Sequence, residues 1–199
     1  QKTAYEISTR DWSSDVCSSD LLDYITEFAQ RGLKRKGLEL LGVVPYQPIL
    51  SRPTVGAIAD ELEAEVLVGR RPLTQIVSRV VIGAMGPERA RSLFKPDVLM
   101  IVPADREDIL NAAAEQMKAS KAPIAGIVLS DDIKPSPSML KSLKELPCPV
   151  IITGKDSYHA ASIVHDLIVK TRPDDGQKIQ LIQEIISKNV NLNRILNAL

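Results

Sequence analysis

Residues 97–132, DVLMIVPADREDILNAAAEQMKASKAPIAGIVLSDD, decide the fold. Val98 to Val102 form an apolar, partly β-branched run, the signature of a strand buried on both faces. Pro103 and Ala104 close it. Ile109, Leu110, Ala113 and Met117 then recur at helical spacing, which predicts an amphipathic helix. Pro123 ends that helix, and residues 124–129 read as a second buried strand. Strand, helix and strand make a right-handed βαβ unit. In open parallel sheets the ligand-facing residues lie past the carboxyl ends of the strands. Two polar clusters fall there: Asp105-Arg106 after the first strand and Ser130-Asp131-Asp132 after the second.

Outward from this unit the chain keeps alternating. Upstream, Val55, Ile58, Ala59 and Leu62 share one face of a short helix with Thr54 at its N-cap. Residues 65–69 read as a strand, as does the region around 77–82. Pro87 suits the first turn of a helix reaching Phe94. Downstream, Ser136 followed by Pro137 marks a helix start, with Met139, Leu140, Leu143 and Leu146 as its buried stripe. Residues 150–153 predict another strand. Asp156 caps a helix carrying Ile163, Val164, Leu167 and Ile168, and residues 169–172 read as a last short strand. A C-terminal helix begins at Asp174 or Asp175, with Ile179, Ile182 and Ile186 on its apolar stripe and Leu181 and Ile185 beside it. Leu192, Ile195 and Leu196 form a second short helical piece. The expected fold is a three-layer α/β/α arrangement around a mostly parallel sheet.

Residues 21–35 carry apolar side chains at Leu22, Ile25, Phe28 and Ala29, the spacing of one helix face, and 38–44 read as a strand. Gly32 and Gly37 stand five apart as in a phosphate loop, but Leu38-Glu39 follow instead of Lys-Ser/Thr. Without the lysine and the hydroxyl there is nothing to hold a phosphate or magnesium, and that reading fails. Residues 1–20 are rich in Ser and Asp and aperiodic. They read as a disordered tail, resemble a translated sequencing adaptor, and are kept out of the fold, Trp12 and Cys17 included.

The split pairing of Asp105-Arg106 with Ser130-Asp131-Asp132 resembles the DRTGG domain, named for Asp-Arg after one strand and Thr-Gly-Gly after the next. The first half matches residue for residue. In the second, Ser130 stands for Thr, and Asp131 and Asp132 stand for both glycines. Residues 54–69 also resemble the opening of the HPr kinase N-terminal domain. The text over 38–189 resembles the middle region of long bacterial phosphate acetyltransferases. The resemblance divides the chain into a tail (1–20), the closing piece of a dethiobiotin-synthetase-like P-loop ATPase domain (21–52), the DRTGG domain (53–166) and a C-terminal helical extension (167–199). It implies a non-catalytic regulatory or subunit-assembly module of a phosphotransacetylase-family protein. Two alternatives remain: a fragment of an ATP-dependent enzyme, with 45–54 helping to hold the nucleotide, and a sensor of a nucleotide or acyl metabolite.

Composition sets limits on these readings. Of 199 residues, 44% are hydrophobic and 25% charged, and Lys plus Arg equals Asp plus Glu at 25 each. There is no net electrostatic pull toward nucleic acid or an anionic membrane. No apolar run reaches the roughly 20 residues of a membrane helix. Two cysteines make no disulfide scaffold, so a reducing cytoplasm is expected. The expected ligand contacts are Asp105, Arg106, Ser130 and Asp131, with capping and a solvated acidic turn as the plainer readings of the same residues. No metal, cofactor or catalytic residue is expected. His159 and His165 lack the partners of a zinc set, and Cys148 reads as a buried inert thiol. The apolar stripe of the terminal helix points to a homodimer.

Overall fold

In a computed structural model the described residues are 19–69, 73–120 and 123–197. The expectation for the N-terminal tail lies outside the described residues, apart from its last two positions, which open a helix. The chain divides into two compact units, one spanning Ser51–Asp174 and the other formed by the residues before and after it.

The larger unit is a five-stranded sheet in the order β1-β5-β4-β3-β2. The strands are β1 (Glu65–Val68), β2 (Arg79–Ile82), β3 (Val98–Pro103), β4 (Gly126–Ser130) and β5 (Val150–Ile152). Strands β2 to β5 run parallel in sequence order, and β1 pairs antiparallel with β5 at the edge. Every residue of β4 and five of six in β3 are buried, as their unbroken apolar runs require. Alternate residues feed two cores. Met100, Val102, Ile127 and Leu129 pack with α3 (Pro87–Arg91), α4 (Glu107–Ser120) and α5 (Pro137–Lys144). Leu99, Ile101, Val128 and Ile151 pack with α2 (Val55–Glu61) and α6 (Ser157–Asp166) on the opposite face. This is the expected three-layer α/β/α architecture.

Local signals placed the helix ends. Thr54 Oγ1 accepts from the Ala57 N–H, Ser136 Oγ from Met139, and Asp156 from Tyr158 and His159. Pro87 and Pro137 occupy first turns. Crossovers from β2 to β5 keep one hand with the strands stepping one way, so α3, α4 and α5 share a face. After β5 the chain turns to the other face through α6. The exits of β4 and β5 therefore diverge, which makes the topological switch point of the sheet.

Two predicted strands are corrected. Residues 169–172 form no strand; Lys170 is exposed and Arg172 is drawn to Asp60, its Nη1 lying 2.5 Å from Oδ2. Residues 38–44 form no ladder: only Gly42 makes a bridge, antiparallel to Val190, and Leu38 and Val44 are exposed. An apolar run can suggest a strand, but only a partner along its length completes its hydrogen bonds.

The smaller unit contains α1 (Ser19–Lys34), α7 (Gly176–Asn189) and α8 (Leu192–Leu196). Gly37, at φ +71, lets the chain close the end of α1 through the bond from the Leu38 N–H to the Leu33 carbonyl. The glycine pair is thus a helix terminus. A Cβ on Gly42 would lie 2.1 Å from the Asn189 carbonyl oxygen, so only glycine fits beside the end of α7. On α7 the fully buried positions are Lys178 and Ile185, two turns apart, while Ile179, Ile182 and Ile186 are half-buried. The expected stripe is therefore offset by one residue. The Lys178 ammonium lies 3.9 Å from the Asp175 carboxylate, and burial pulls its pKa down.

Candidate functional site

The loops leaving β2, β3 and β4, with the first residue of α6, enclose a cleft of about 540 Å³ at the carboxyl edge of the sheet. Ile82, Pro103 and Ile133 supply apolar wall, and Asp105, Arg106, Asp131 and Ser157 supply the polar side chains. Of the four sequence-predicted ligand contacts, Asp105, Arg106 and Asp131 line this cleft. Ser130 lies immediately behind it, fully buried as the last residue of β4.

Arg106, one of the expected ligand contacts, is largely engaged within the protein. It occupies the N-cap position of α4, where its carbonyl accepts from the Ile109 and Leu110 N–H groups. Its guanidinium donates through Nε and Nη2 to both oxygens of Asp108, at 2.9 Å each. Nη1 donates to the Gly83 carbonyl at 3.2 Å, and Nη2 also to the Met85 carbonyl at 2.9 Å. The side chain thus fastens the exit loop of β2 to the start of α4. The bidentate bond holds the Asp108 carboxyl below the usual carboxylate range and raises the arginine further. Gly83 is required at this fastening: a Cβ there would meet Val102 Cγ2 at 2.9 Å. The cap expected at Asp105 therefore belongs to Arg106, and Asp105 stays exposed on the lip of the cleft.

The second cluster is fastened through its backbone. Asp131 and Asp132 adopt φ of +69 and +52, the left-handed region that favours glycine and that Asp tolerates better than most side chains. Both positions where the family motif has glycine therefore keep a glycine-like backbone. Their N–H groups are turned to carbonyls of the neighbouring loop. The Asp131 N–H donates to the Lys155 carbonyl at 2.9 Å and that of Asp132 to Thr153 at 3.1 Å, tying the exits of β4 and β5 together across the switch point. Ser130 Oγ donates to Asp131 Oδ2 at 2.7 Å and lies 2.7 Å from Ser157 Oγ, so Ser157 supplies the proton of that second bond.

Gly83, Met85, Ser157 and Ile133 belong to this edge, and sequence reasoning gave none of them a place in it. Ser157 is 27 residues from Ser130, and a loop carbonyl has no side-chain signature at all. His159 is exposed and lies 2.5 Å from Asp156 Oδ2 through Nδ1, outside the cleft lining. Its backbone N–H, then its ring, pull the Asp156 pKa down. Cys148 is fully buried, as expected. Among the described residues no group of three or more His, Cys, Asp or Glu is placed to hold a metal, and no helix is long and apolar enough to cross a membrane.

A mostly parallel three-layer domain, with Asp-Arg and a left-handed turn at neighbouring carboxyl ends, defines a class of α/β module. The DRTGG domain matches residues 57–167, and the chain belongs to that family. It is 25% identical over 180 residues to a phosphate acetyltransferase of Nitrosomonas europaea, covering 89% of this chain and 25% of that protein. The match to the phosphate acetyltransferase of Pseudomonas aeruginosa is 27% over 177 residues, covering 85% and 25%. That of Synechocystis is 27% over 164 residues, covering 80% and 24%. The chain thus spans about a quarter of the length of these curated relatives. Among solved structures it resembles the CBS and DRTGG domains of the regulatory region of Clostridium perfringens pyrophosphatase, complexed with the activator diadenosine tetraphosphate. That likeness has a TM-score of 0.48 and 20% identity over 74% of each chain.

Proposed function

We propose that this chain is a non-catalytic regulatory and assembly module of a phosphate acetyltransferase-family protein, responding to a small molecule in the carboxyl-edge cleft. The observation that carries this reading is the way the motif side chains are used. Arg106, Ser130 and the Asp131-Asp132 backbone are committed to fastening loops around the cleft. Groups held in this way shape a binding surface; a catalytic acid, base or nucleophile must instead reach a reacting atom. The match to about a quarter of the acetyltransferases' length supports the same reading, since in those relatives the similar region is one part of the protein. On this reading Asp105, Arg106, Ser130 and Asp131 shape or contact the ligand.

The test is turnover by the purified chain. It is expected neither to form acetyl phosphate from acetyl-CoA nor to hydrolyse ATP. Activity that disappears in Asp105→Ala would overturn the regulatory reading.

Assembly is supported by apolar side chains exposed on the smaller unit. Tyr24 and Phe28 on α1, 65% and 72% exposed, stack with ring centroids 6.5 Å apart, and Leu196 on α8 is 65% exposed. Clustered exposed apolar surface marks an interaction site. The expected partner is a second copy, giving a homodimer whose population falls on dilution. Light scattering across a hundredfold dilution series checks this, and a monomeric mass at every concentration removes the assembly half of the proposal.

A further inference from the structure

The volume of the cleft, about 540 Å³, lies within the range of small-molecule sites. Which hydrogen-bonding groups are already spent decides what it can hold. An anion needs N–H groups or cations, and at this edge most of these are already engaged. The guanidinium of Arg106 is engaged by Asp108 and by the carbonyls of Gly83 and Met85. The N–H groups of Asp131 and Asp132 are taken by Lys155 and Thr153. At the start of α6 the N–H groups of Tyr158 and His159 are capped by Asp156. The two hydroxyls relay from Ser157 to Ser130 and end on Asp131 Oδ2. Lys155, on the neighbouring exit, reaches Glu63 at 3.3 Å, and Lys134 is exposed outside the lining.

The lining thus retains acceptors, the carboxylates of Asp105 and Asp131, beside apolar wall from Ile82, Pro103 and Ile133. The geometry points to a nucleoside as the ligand class, bound through its uncharged sugar and base and without a phosphate contact. The flat base matches the apolar wall. Vicinal ribose hydroxyls are donors, and a carboxylate at the carboxyl end of a strand is the group that receives them in open α/β sheets. Two carboxylates beside a committed arginine repel a phosphoryl group. Phosphorylated acyl metabolites are therefore disfavoured in this cleft. This inference rests on the proposed reading of the cleft as a ligand-responsive site, and it narrows the ligand.

Calorimetric titration of the intact chain with adenosine, guanosine, cytidine and uridine, and separately with acetyl phosphate, tests it. At least one nucleoside is expected to bind at millimolar concentration or below, at least about tenfold tighter than acetyl phosphate. The Asp105→Asn/Asp131→Asn double variant is expected to weaken that nucleoside by about tenfold or more. Asn tolerates the left-handed backbone at 131 and still accepts from Ser130, so the turn is preserved. The 5′-monophosphate of the same nucleoside is expected to bind more weakly at low salt, and the double variant to erase that difference. Tighter binding of acetyl phosphate, a double variant with unchanged affinity, or no binding of any of the four nucleosides would overturn the proposal. None of these outcomes touches the regulatory reading, which stands or falls on turnover.

Discussion

The two halves of the family motif stand at neighbouring carboxyl ends and do the same job by different means. Asp105-Arg106 works through a side chain: the guanidinium reaches two carbonyls of one loop and a carboxylate on the adjoining helix. Ser130-Asp131-Asp132 works through backbone: two left-handed residues turn their N–H groups into the carbonyls of the β5 exit. A side-chain fastening depends on the identity of one residue. A backbone fastening depends on a conformation, and more than one residue type can adopt it. This is why Arg106 matches the family pattern while both glycines are replaced by aspartate without loss of the turn.

The comparison breaks most visibly at Arg106. Arg106→Ala leaves the Gly83 and Met85 carbonyls without their donor and is expected to cost about 2 kcal/mol, within the range for charge-assisted hydrogen bonds. Arg106→Lys is expected to recover less than half, because an ammonium cannot span a carboxylate and two carbonyls at once. Urea unfolding monitored by circular dichroism measures both. Acid is expected to undo the same fastening. The pKa of Asp108 is lowered in the folded state, so its contribution is present above the ordinary carboxylate range and is lost as the pH falls through the lowered value. Melting temperature should therefore drop on acidification below about pH 4, and Asp108→Asn should lose part of that drop. The effect is modest because Asp108 is well exposed.

The backbone half should respond to conformation and ignore charge. Asp132→Val is expected to cost about 1–2 kcal/mol, because a β-branched residue resists the left-handed region. Asp132→Gly is expected to fall within about 0.5 kcal/mol of the starting protein, since relief of strain and added unfolded-state entropy oppose each other. The same urea titrations compare them. Equal losses for Val and Gly would show that the aspartate side chain, and not its backbone angle, holds the turn.

Much of the fold was legible because its signals are local. The runs at 98–102 and 124–129 announce strands buried on both faces, Pro123 separates the second from its helix, and Thr54, Ser136 and Asp156 cap helices by their own side chains. The DRTGG resemblance was equally legible, since Asp105-Arg106 is contiguous. The positions of Asp105, Arg106 and Asp131 at one edge followed from the βαβ rule alone.

Partnership was decided only in three dimensions. The apolar run at 38–44 suggested a strand and said nothing of whether a neighbour would complete its ladder, and only Gly42 found one. On α7 the periodicity gave the right face to within one residue, but contacts put Lys178 and Ile185 at its centre. At the cleft, residue types showed that Arg106 could contact a ligand, whereas packing gave most of its donors to Gly83, Met85 and Asp108. Sequence lists donors and acceptors; a hydrogen bond needs both within about 3 Å and well aligned, and for residues more than 20 positions apart only the folded backbone sets that distance.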